Sequence, residues 1–423
     1  MPSPANLKIA ILGAGPAGLT LASLLTASKQ AFDFTIFELR ERPDPADVNL
    51  PSGNLDLQEE YGLKVVKACG LYKDFLEIES GCTEQTTIVN KTGQVFLDHV
   101  GQGRPEISRN ALAQLLLSAV PADRIKWGTK VLSVAPGGIV EFQHKTAKLS
   151  TTETFDLIIG ADGAWSLARA AIPGAPKPIY SGACAVTLDI PSLPDKHPDL
   201  HKLLGGGTYA ACSDGKVLLS QRGIHGSARL YLFLHSKLQT ATQKELQGST
   251  HDDKFGPNPA LDSDRLLSVL PKNHKDLLRF LVTESEFFFT WSDEIKHLLI
   301  VACEAQPVDL PVDARPLHML PLEPFPHPHA KGIVLVGDAA HLMTPFAGKG
   351  VNTAMADSLA LAEHLEKFSA AGDGADLEQT LIAYKEEVSP RAKGAMTLTW
   401  MSLLLSYDES GPERLCQVMA ANH

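Results

Sequence analysis

The feature that most constrains the fold of this 423-residue chain is a pair of glycine-rich motifs. The two motifs are more than three hundred residues apart, and each lies between an apolar run and a helix-like run. The second motif begins with Gly-Asp-Ala-Ala-His at residues 337–341 and continues through Pro345 to Gly-Lys-Gly-Val-Asn at residues 348–352. The apolar run before it, 332–336, is typical of a buried strand, and the Ala/Leu-rich run after it, 353–365, is typical of a helix. This order would place one carboxylate and one helix N-terminus at the same ligand.

The first motif, Gly-Ala-Gly-Pro-Ala-Gly at residues 13–18, lies between a predicted strand at 8–12 and a predicted helix at 19–27. Its glycines permit a tight turn, close approach of the backbone to a pyrophosphate, and close packing of the helix on the sheet. Glu38 closes a second predicted strand, 33–37, where a carboxylate accepts hydrogen bonds from the adenosine ribose of FAD or NAD. The alternative is a glycine turn followed by a surface glutamate.

A third motif lies between these two. The strand-like run 155–159 is followed by Gly-Ala-Asp-Gly at residues 160–163, and then by Ser166 and Arg169. By themselves these residues could form an ordinary strand-to-helix turn in which Asp162 caps the helix. The arrangement of the second motif, however, favours a bound flavin over a generic dinucleotide.

In this order, the three motifs resemble the signatures of the class A FAD-dependent aromatic monooxygenases, the para-hydroxybenzoate hydroxylase-like flavoproteins. Within that family the resemblance is strongest to the tetracycline-inactivating monooxygenases. Residues 52–57, Ser-Gly-Asn-Leu-Asp-Leu, are similar to their Gly-Gly-Thr-Leu-Asp-Leu segment. Residues 106–112, Glu-Ile-Ser-Arg-Asn-Ala-Leu, are similar to their Glu-Ile-Asn-Arg-Asn-Asp-Leu segment, and the run 337–352 is similar almost position for position.

The chain departs from the family's pattern in two places. The family usually has Glu-Arg at the end of the second strand, whereas a leucine follows Glu38 here, so that Arg40 or Arg42 would have to substitute. Relatives that degrade tetracyclines hold the drug with an Arg, a Gln and a His of the middle sheet, where this chain offers Thr187, Thr208 and Tyr231. The resemblance therefore supports the cofactor better than the substrate.

The resemblance, together with the alternation of strands and helices at both ends, implies an α/β fold. It would contain a Rossmann-like FAD-binding domain, an antiparallel-sheet substrate domain and a C-terminal helix. The FAD-binding domain would be discontinuous, built from residues 1–75, 101–178 and 318–385. Residues 76–100 and 179–317 would form the substrate domain, and residues 386–423 the C-terminal helix.

The middle of the chain predicts an antiparallel sheet, because short β-like runs alternate with turns. A hairpin at 86–98, with an Asn-Lys-Thr-Gly turn, could join this sheet. The polar stretch 252–264 predicts a surface loop, and the proline-rich stretch 321–329 predicts a connector back to the flavin domain. The predicted short strands are 183–189, 216–221, 230–235 and 286–291.

The resemblance implies that FAD carries the chemistry, with NADPH or NADH as the reductant and oxygen transfer through a C4a-hydroperoxyflavin, so that no catalytic side chain is required. The helix that begins at 348–352 would direct its positive end at the reduced flavin. Asp338 would accept hydrogen bonds from the ribityl hydroxyls, and Arg109 would reach the same side of the cofactor. The predicted cofactor-binding residues are Gly13, Gly15, Pro16, Ala17, Gly18, Glu38, Arg40, Asp56, Arg109, Asp162, Gly337, Asp338, Pro345, Gly348, Gly350, Val351 and Asn352.

Substrate contacts are expected from the middle sheet. His341, which follows the Gly-Asp pair, is expected to have a structural role and not to act as a base. The substrate candidates, each with the alternative of a surface charge or a core aromatic ring, are Arg222, His225, Tyr231, Phe287 and Phe289.

Charge and composition restrict the partners. A net charge of −11 argues against nucleic acid or an anionic membrane. The sequence contains no stretch of about 20 apolar residues that could span a bilayer, and we expect the apolar segment 395–407 to be a docked helix. The six cysteines lack zinc spacing, which favours free thiols and a cytoplasmic location. The expected partners are an aromatic or polycyclic small molecule and O2, with no metal, nucleic acid or integral membrane segment.

The sequence therefore predicts an NAD(P)H-dependent flavoprotein monooxygenase, and two alternatives stay open. One is a flavin halogenase or reductase on the same fold, although the Trp-x-Trp-x-Ile-Pro signature of the halogenases is missing from the sequence. The other is a non-enzymatic protein that retains FAD and sequesters a ligand or regulates a partner.

Overall fold

The computed structural model describes residues 7–78, 82–101, 104–235, 270–283, 286–323, 325–326, 328–372, 374–408 and 410–421. The surface loop expected at 252–264 lies outside these residues. The strands are β1 (Lys8–Leu12), β2 (Asp33–Phe37), β3 (Asn54–Asp56), β4 (Gln85–Val89), β5 (Val95–Val100), β6 (Glu106–Ser108), β7 (Ile125–Lys126), β8 (Thr129–Ala135), β9 (Ile139–His144), β10 (Thr151–Thr154), β11 (Leu157–Gly160), β12 (Ile179–Ile190), β13 (Thr208–Ser213), β14 (Lys216–Arg222), β15 (Ala228–His235), β16 (Asp313–Met319) and β17 (Ile333–Leu335).

The helices connect and cover these strands. In chain order they are α1 (Pro16–Ala27), α2 (Lys64–Ala68), α3 (Tyr72–Leu76), α4 (Arg109–Ser118), α5 (Leu167–Ala170), α6 (Leu193–Lys196), α7 (Pro198–Leu204), α8 (His274–Leu278), α9 (Asp293–Glu304), α10 (Asp338–His341), α11 (Gly350–Ala371), α12 (Leu377–Ser406) and α13 (Gly411–Ala421). Short 3₁₀ or π turns occur at Pro45–Asn49, Glu59–Leu63, Ala122–Arg124, Ile224–Gly226, Arg279–Thr283, Glu286–Phe288 and Pro345–Ala347.

A parallel sheet of five strands, in the order β17-β11-β1-β2-β7, joins segments from both ends of the chain. Its central strands β1 and β11 are apolar and buried, as is typical of a parallel sheet that is covered on both faces. Helices α1 and α11 cover one face, with Leu21 and Met355 fully buried there. The small sheet β8–β10 covers the other face, where the ring of Phe37 lies 4.7 Å from that of Phe142.

The second large sheet has seven strands in the order β16-β12-β15-β14-β13-β4-β5 and is antiparallel apart from the β13–β4 pair. The predicted antiparallel middle sheet is therefore confirmed, and the hairpin at 86–98 joins it as β4 and β5. Alternate residues of β15 point to opposite faces. Leu230 and Leu232 pack under the layer of helices α6–α9, whereas Tyr231 and Phe233 face Phe346 of the Pro345–Ala347 turn.

The prediction of a strand at 286–291 is wrong. This segment forms a 3₁₀ turn, Glu286–Phe288, in the helical layer. Phe288 and Trp291, three residues apart, are both buried, and their rings lie 4.8 Å from each other. A spacing of three buries both rings in a helical turn, whereas in a strand they would point to opposite faces.

The C-terminal part contains two helices, not the single helix predicted at 386–423. Helix α12 begins before residue 386 and ends at Ser406, and α13 starts at Gly411. Proline at position 412 is the second residue of α13, and its missing backbone N–H is not needed in the first turn of a helix. The carboxylate of Asp408 accepts a hydrogen bond from the Ser410 N–H at 3.0 Å and stabilises the turn between the two helices.

None of the helices within the described residues combines the length and the apolar character that crossing a bilayer requires.

Candidate functional site

The first glycine turn links β1 to α1 and leaves space beside the start of that helix. A Cβ added at Gly13 would lie 2.4 Å from the Ala161 carbonyl oxygen, and one added at Gly18 would lie 2.0 Å from the Gly13 carbonyl oxygen. By contrast, no atom lies within 4 Å of a Cβ added at Gly15. Helix α1, whose first residues are Pro16 and Ala17, has no side-chain cap. Its first N–H groups therefore face open space, as a bound phosphate requires.

Glu38 follows β2 and lies beside this turn. Its buried carboxylate accepts hydrogen bonds from the Ala14 N–H at 2.7 Å and from the backbone N–H and Nε of Arg40, both at 2.9 Å. Burial by itself would raise the pKa of Glu38, but the hydrogen bonds from Arg40 and Ala14 outweigh it and the pKa is lowered. The carboxylate is therefore ionised, and it retains lone pairs for ribose hydroxyls. The structure places Arg40, which was predicted to substitute for the family's arginine, on Glu38.

The Asp-Gly and Gly-Asp motifs follow the neighbouring strands β11 and β17, so the parallel pairing brings them together. The buried Arg169 joins them, because its guanidinium donates to the carbonyl oxygens of Ala339 at 2.9 Å and of Ala164 at 2.5 Å. One oxygen of Asp162 accepts from the Leu167 N–H at 2.7 Å and stabilises the start of α5, which is the alternative role considered for it. Its other oxygen is buried and has no hydrogen-bond partner within the described residues.

Asp338 is the first residue of α10, after Gly337, whose φ of +60° favours glycine. Gly337 lies between the starts of α1 and α11, 3.1 Å from both Ala17 and Ala354 when a Cβ is added to it. We call the open space that these two helix starts border the groove. The side chain of Asp338 is exposed there, although protein surrounds it on the other sides. This surrounding protein raises the pKa of Asp338, and the charges of His341, Arg109 and Arg169 oppose the rise. The structure thus brings the predicted pair Asp338 and Arg109 together from distant parts of the chain.

The Pro345–Ala347 turn and the start of α11 form the far wall of the groove. Helix α11 begins with Gly350 and Val351 and has no side-chain cap, and no atom lies within 4 Å of a Cβ added at Gly350. A Cβ at Gly348 would lie 3.3 Å from Oδ1 of Asp56, so this carboxylate borders the same space. Burial raises the pKa of Asp56. The open helix N-terminus fits a ligand group that carries partial negative charge.

Asn352 was predicted to bind the cofactor, but its buried side chain bonds protein. Its Oδ1 accepts from the N–H groups of Gln58 at 2.9 Å and Gly62 at 3.1 Å, and its Nδ2 donates to the Asp56 carbonyl oxygen at 2.8 Å. These bonds are long-range in sequence and therefore could not be read from the motif. Asn352 fixes the segment that carries Asp56 to the N-terminus of α11.

A row of aromatic rings extends from the seven-stranded sheet to the Pro345–Ala347 turn, and Phe233 is buried within it. The rings of Tyr231 and Phe233 are stacked at 6.1 Å, and Phe233 lies 4.9 Å from Phe346. Phe346 in turn lies 5.7 Å from Tyr407 at the end of α12, and His235 lies 4.9 Å from Tyr407. We call these five residues the aromatic row. It joins the middle of the sheet to the Pro345–Ala347 turn.

Of the five predicted substrate residues, only Tyr231 lies in the aromatic row. Phe287 packs against Phe280 at 5.3 Å in the helical layer on the opposite face of the sheet, and Phe289 is 76% exposed. The structure therefore places both residues away from the aromatic row, because the segment is not a strand. His225 is exposed in a turn, 3.2 Å from Asn49. Arg222 is buried at the end of the interior strand β14, where its carbonyl oxygen accepts from the Asn54 side chain.

Sequence reasoning named Arg169 as part of the third motif but assigned it no contact, and it missed Asp357. Asp357 is fully buried in α11, where its carboxylate contacts His341 and Arg391. The available signal was a carboxylate near the start of an Ala/Leu-rich helical run, because an acidic residue is buried only when it is paired. Among the described residues, no group of three or more His, Cys, Asp or Glu side chains is arranged to hold a metal ion.

Comparisons with known proteins agree with this geometry. The model of the FAD binding domain family, FAD_binding_3, matches residues 326–399. The chain is 58% identical to Monooxygenase penA of Penicillium thymicola, over 99% of this chain and 100% of the relative. It is 51% identical to Monooxygenase asqM of Emericella nidulans, over 98% of this chain and 99% of the relative.

Solved structures share the fold at low sequence identity. Klebsiella pneumoniae HpxO in complex with FAD and uric acid superimposes with a TM-score of 0.68 at 18% identity, covering 98% of this chain and 91% of that one. Salicylate hydroxylase in a substrate complex gives a TM-score of 0.71 at 17% identity, covering 99% and 94%. The tetracycline destructase Tet(51) gives 0.65 at 19% identity, covering 100% and 96%.

Proposed function

This chain belongs to the class A FAD-dependent monooxygenases, and we propose that it uses NADPH or NADH together with O2 to hydroxylate or otherwise oxygenate an aromatic or polycyclic small molecule. The observation that carries the proposal is the position of the aromatic row, which reaches the Pro345–Ala347 turn directly before the helix N-terminus that is expected to contact the flavin. Salicylate hydroxylase, which has the same fold, acts on an aromatic compound by its name, and this supports the same substrate class here.

The residues of the groove fit FAD at each part of the cofactor. The N–H groups of α1 and the open space at Gly15 suit the pyrophosphate, and the ionised Glu38 suits the adenosine ribose. Asp338 is open to the groove and suits the ribityl hydroxyls. The uncapped start of α11 suits the flavin ring, because its positive end favours the charge that reduction brings. Bound FAD would supply the redox chemistry with the nicotinamide and with O2.

The chain's own contribution is then to bind, orient and shield the substrate. Aromatic rings bury large flat surfaces and favour offset or tilted contacts with other rings. Phe233 and Phe346 meet at an interplanar angle of 48° and provide such contacts between the sheet and the Pro345–Ala347 turn. The hydroxyl of Tyr231 lies beside Gly53, since a Cβ there would approach it to 2.1 Å. It offers a polar group at one end of an otherwise apolar surface.

The test is to purify the protein, record its visible spectrum, and follow NADPH oxidation and O2 uptake with a panel of phenolic polycycles. We expect a yellow protein whose NADPH oxidation rises with at least one ligand, with one atom of ¹⁸O₂ in the product. A yellow protein that no ligand stimulates would contradict the proposed oxygenation and favour the sequestering or regulatory alternative.

A pair of variants tests the role of the aromatic row. Phe233→Leu removes a ring from the row, and we expect kcat/KM for the stimulating ligand to fall about fivefold, since ring contacts contribute about 1 kcal/mol. Phe289→Leu makes the same change on the opposite, exposed face and should leave kcat/KM unchanged. If the two variants changed kcat/KM equally, the substrate would not bind against the aromatic row.

A further inference from the structure

Asp357 is a buried carboxylate that joins three separate elements. Its Oδ2 lies 2.5 Å from Nε2 of His341 and accepts from the Gly337 N–H at 3.3 Å, and its Oδ1 accepts from Nη2 of Arg391 at 2.9 Å. Asp357 belongs to α11, Gly337 and His341 to the Gly-Asp turn, and Arg391 to α12. Neither Asp357 nor His341 is more than 2% exposed. We call this set the Asp357 clamp.

The clamp holds the Gly-Asp turn on both sides of Asp338. Gly337 precedes Asp338 and His341 lies three residues after it, so the two bonds to Asp357 fix both ends of this short segment. The carboxylate that receives them belongs to α11, about 10 Å along the helix from Gly350 at a rise of 1.5 Å per residue. The clamp therefore sets the distance between Asp338 and the N-terminus of α11.

Helix α12 supports the same arrangement from behind. Its Arg391 balances the charge of Asp357, which would be costly to bury without a partner. Further along α12, the hydroxyl of Thr399 donates to the Thr344 carbonyl oxygen at 2.7 Å and accepts from the Ala347 N–H at 3.2 Å. The Pro345–Ala347 turn and the Gly-Asp turn are thus both fixed to one helix.

We propose that Asp357 is a positioning residue for FAD: through His341 and Gly337 it holds Asp338 at a fixed position relative to the N-terminus of α11. These two groups are expected to contact different parts of one cofactor. If either moves, the cofactor cannot satisfy both at once, because a rigid ligand binds tightly only to a preorganised site. An ordinary buried ion pair would stabilise the fold and leave cofactor binding unchanged.

The experiment compares Asp357→Asn with Glu387→Gln as a matched control. Glu387 pairs with His364 at 2.9 Å across the same two helices, α11 and α12, but far from the Gly-Asp turn. For each apoprotein we would measure the circular dichroism spectrum, the Tm and the Kd for FAD. After loading with FAD, we would measure the midpoint potential and the absorption bands of the bound flavin. None of these measurements depends on knowing the substrate.

We expect Asp357→Asn to raise the Kd for FAD about tenfold, the effect of losing one hydrogen bond to a charged group, and to shift the midpoint potential and the absorption bands. Glu387→Gln should match the wild-type protein in all three. A folded Asp357→Asn protein with the wild-type Kd and potential would overturn the proposal, even if its Tm were lower.

If Asp357→Asn does not fold, His341→Gln provides the second variant, because it keeps the carboxylate and its Arg391 partner. We expect a smaller rise in the Kd for FAD and a shift of the midpoint potential in the same direction. A His341→Gln protein with the wild-type Kd and potential would overturn the proposal equally.

Discussion

Gly15 and Gly18 belong to one turn but should fail in different ways when each is changed to alanine. At Gly18 the new Cβ would lie 2.0 Å from the Gly13 carbonyl oxygen and 3.3 Å from the Ala161 Cβ, so the backbone must move. At Gly15 no atom lies within 4 Å, and its φ of −79° is accessible to alanine. Gly18→Ala should therefore destabilise the fold, whereas Gly15→Ala should disturb only the ligand site.

The magnitudes follow from these contacts. Overpacking of this kind costs about 3 kcal/mol. The entropy of unfolding scales with chain length, so for 423 residues each kcal/mol lowers the Tm by about 1 °C. We expect the Tm of the Gly18→Ala apoprotein to fall by about 3 °C, whereas that of Gly15→Ala should stay within about 0.5 °C of the wild-type value.

The assay combines thermal unfolding of the apoproteins, followed by circular dichroism, with titration of each by FAD. Although Gly15→Ala should not change the Tm, we expect it to raise the Kd for FAD about tenfold or more, because the new methyl group occupies the space through which the pyrophosphate approaches the backbone. The reasoning would be refuted if Gly15→Ala bound FAD as tightly as the wild-type protein, or if it lowered the apoprotein Tm as much as Gly18→Ala.

Two further predictions concern the surroundings of the groove. The pKa of Glu38 is lowered in the folded protein, so the stability that its ionised form contributes is present above the unfolded pKa of about 4.3 and is lost as the pH falls through the lower, folded value. The Glu38→Gln protein should not lose this stability as the pH falls. If its free energy of unfolding decreased across the same pH range as much as that of the wild-type protein, the prediction would be contradicted. Asn352→Ala leaves the N–H groups of Gln58 and Gly62 and the Asp56 carbonyl oxygen without their partner, at a cost of about 3 kcal/mol. We expect its apoprotein Tm to fall by about 3 °C, and an unchanged Tm would show that water replaces these bonds.

Local sequence determined the parts of the site that depend on backbone conformation within a short segment. The turn at Gly13, with its φ of +102°, and the position of Glu38 at the end of β2 could both be predicted. In these cases the strand, the turn and the helix are consecutive, so spacing alone places the carboxylate beside the phosphate site. The Gly-Asp turn and the start of α11 were predictable for the same reason.

The substrate side of the groove could not be predicted in this way. The aromatic segment 286–291 could have formed either a strand of the sheet or part of the helical layer. Only the packing of Phe288 against Trp291 decided that Phe287 lies in the helical layer, on the far side of the sheet. The aromatic row combines residues from β15, from the Pro345–Ala347 turn and from the end of α12. No local pattern connects these segments, because they meet only when the two large sheets are in place.

The sequence by itself thus determined the cofactor class and the residues expected to meet its phosphate and ribose groups, since these predicted contacts come from glycine conformations and from carboxylates at fixed distances from strand ends. Only the tertiary structure decided which side chains support that site. The partners of Asp357 and Asn352 lie on segments that are remote in sequence, and a buried polar group acquires its hydrogen bonds only from the elements that pack around it.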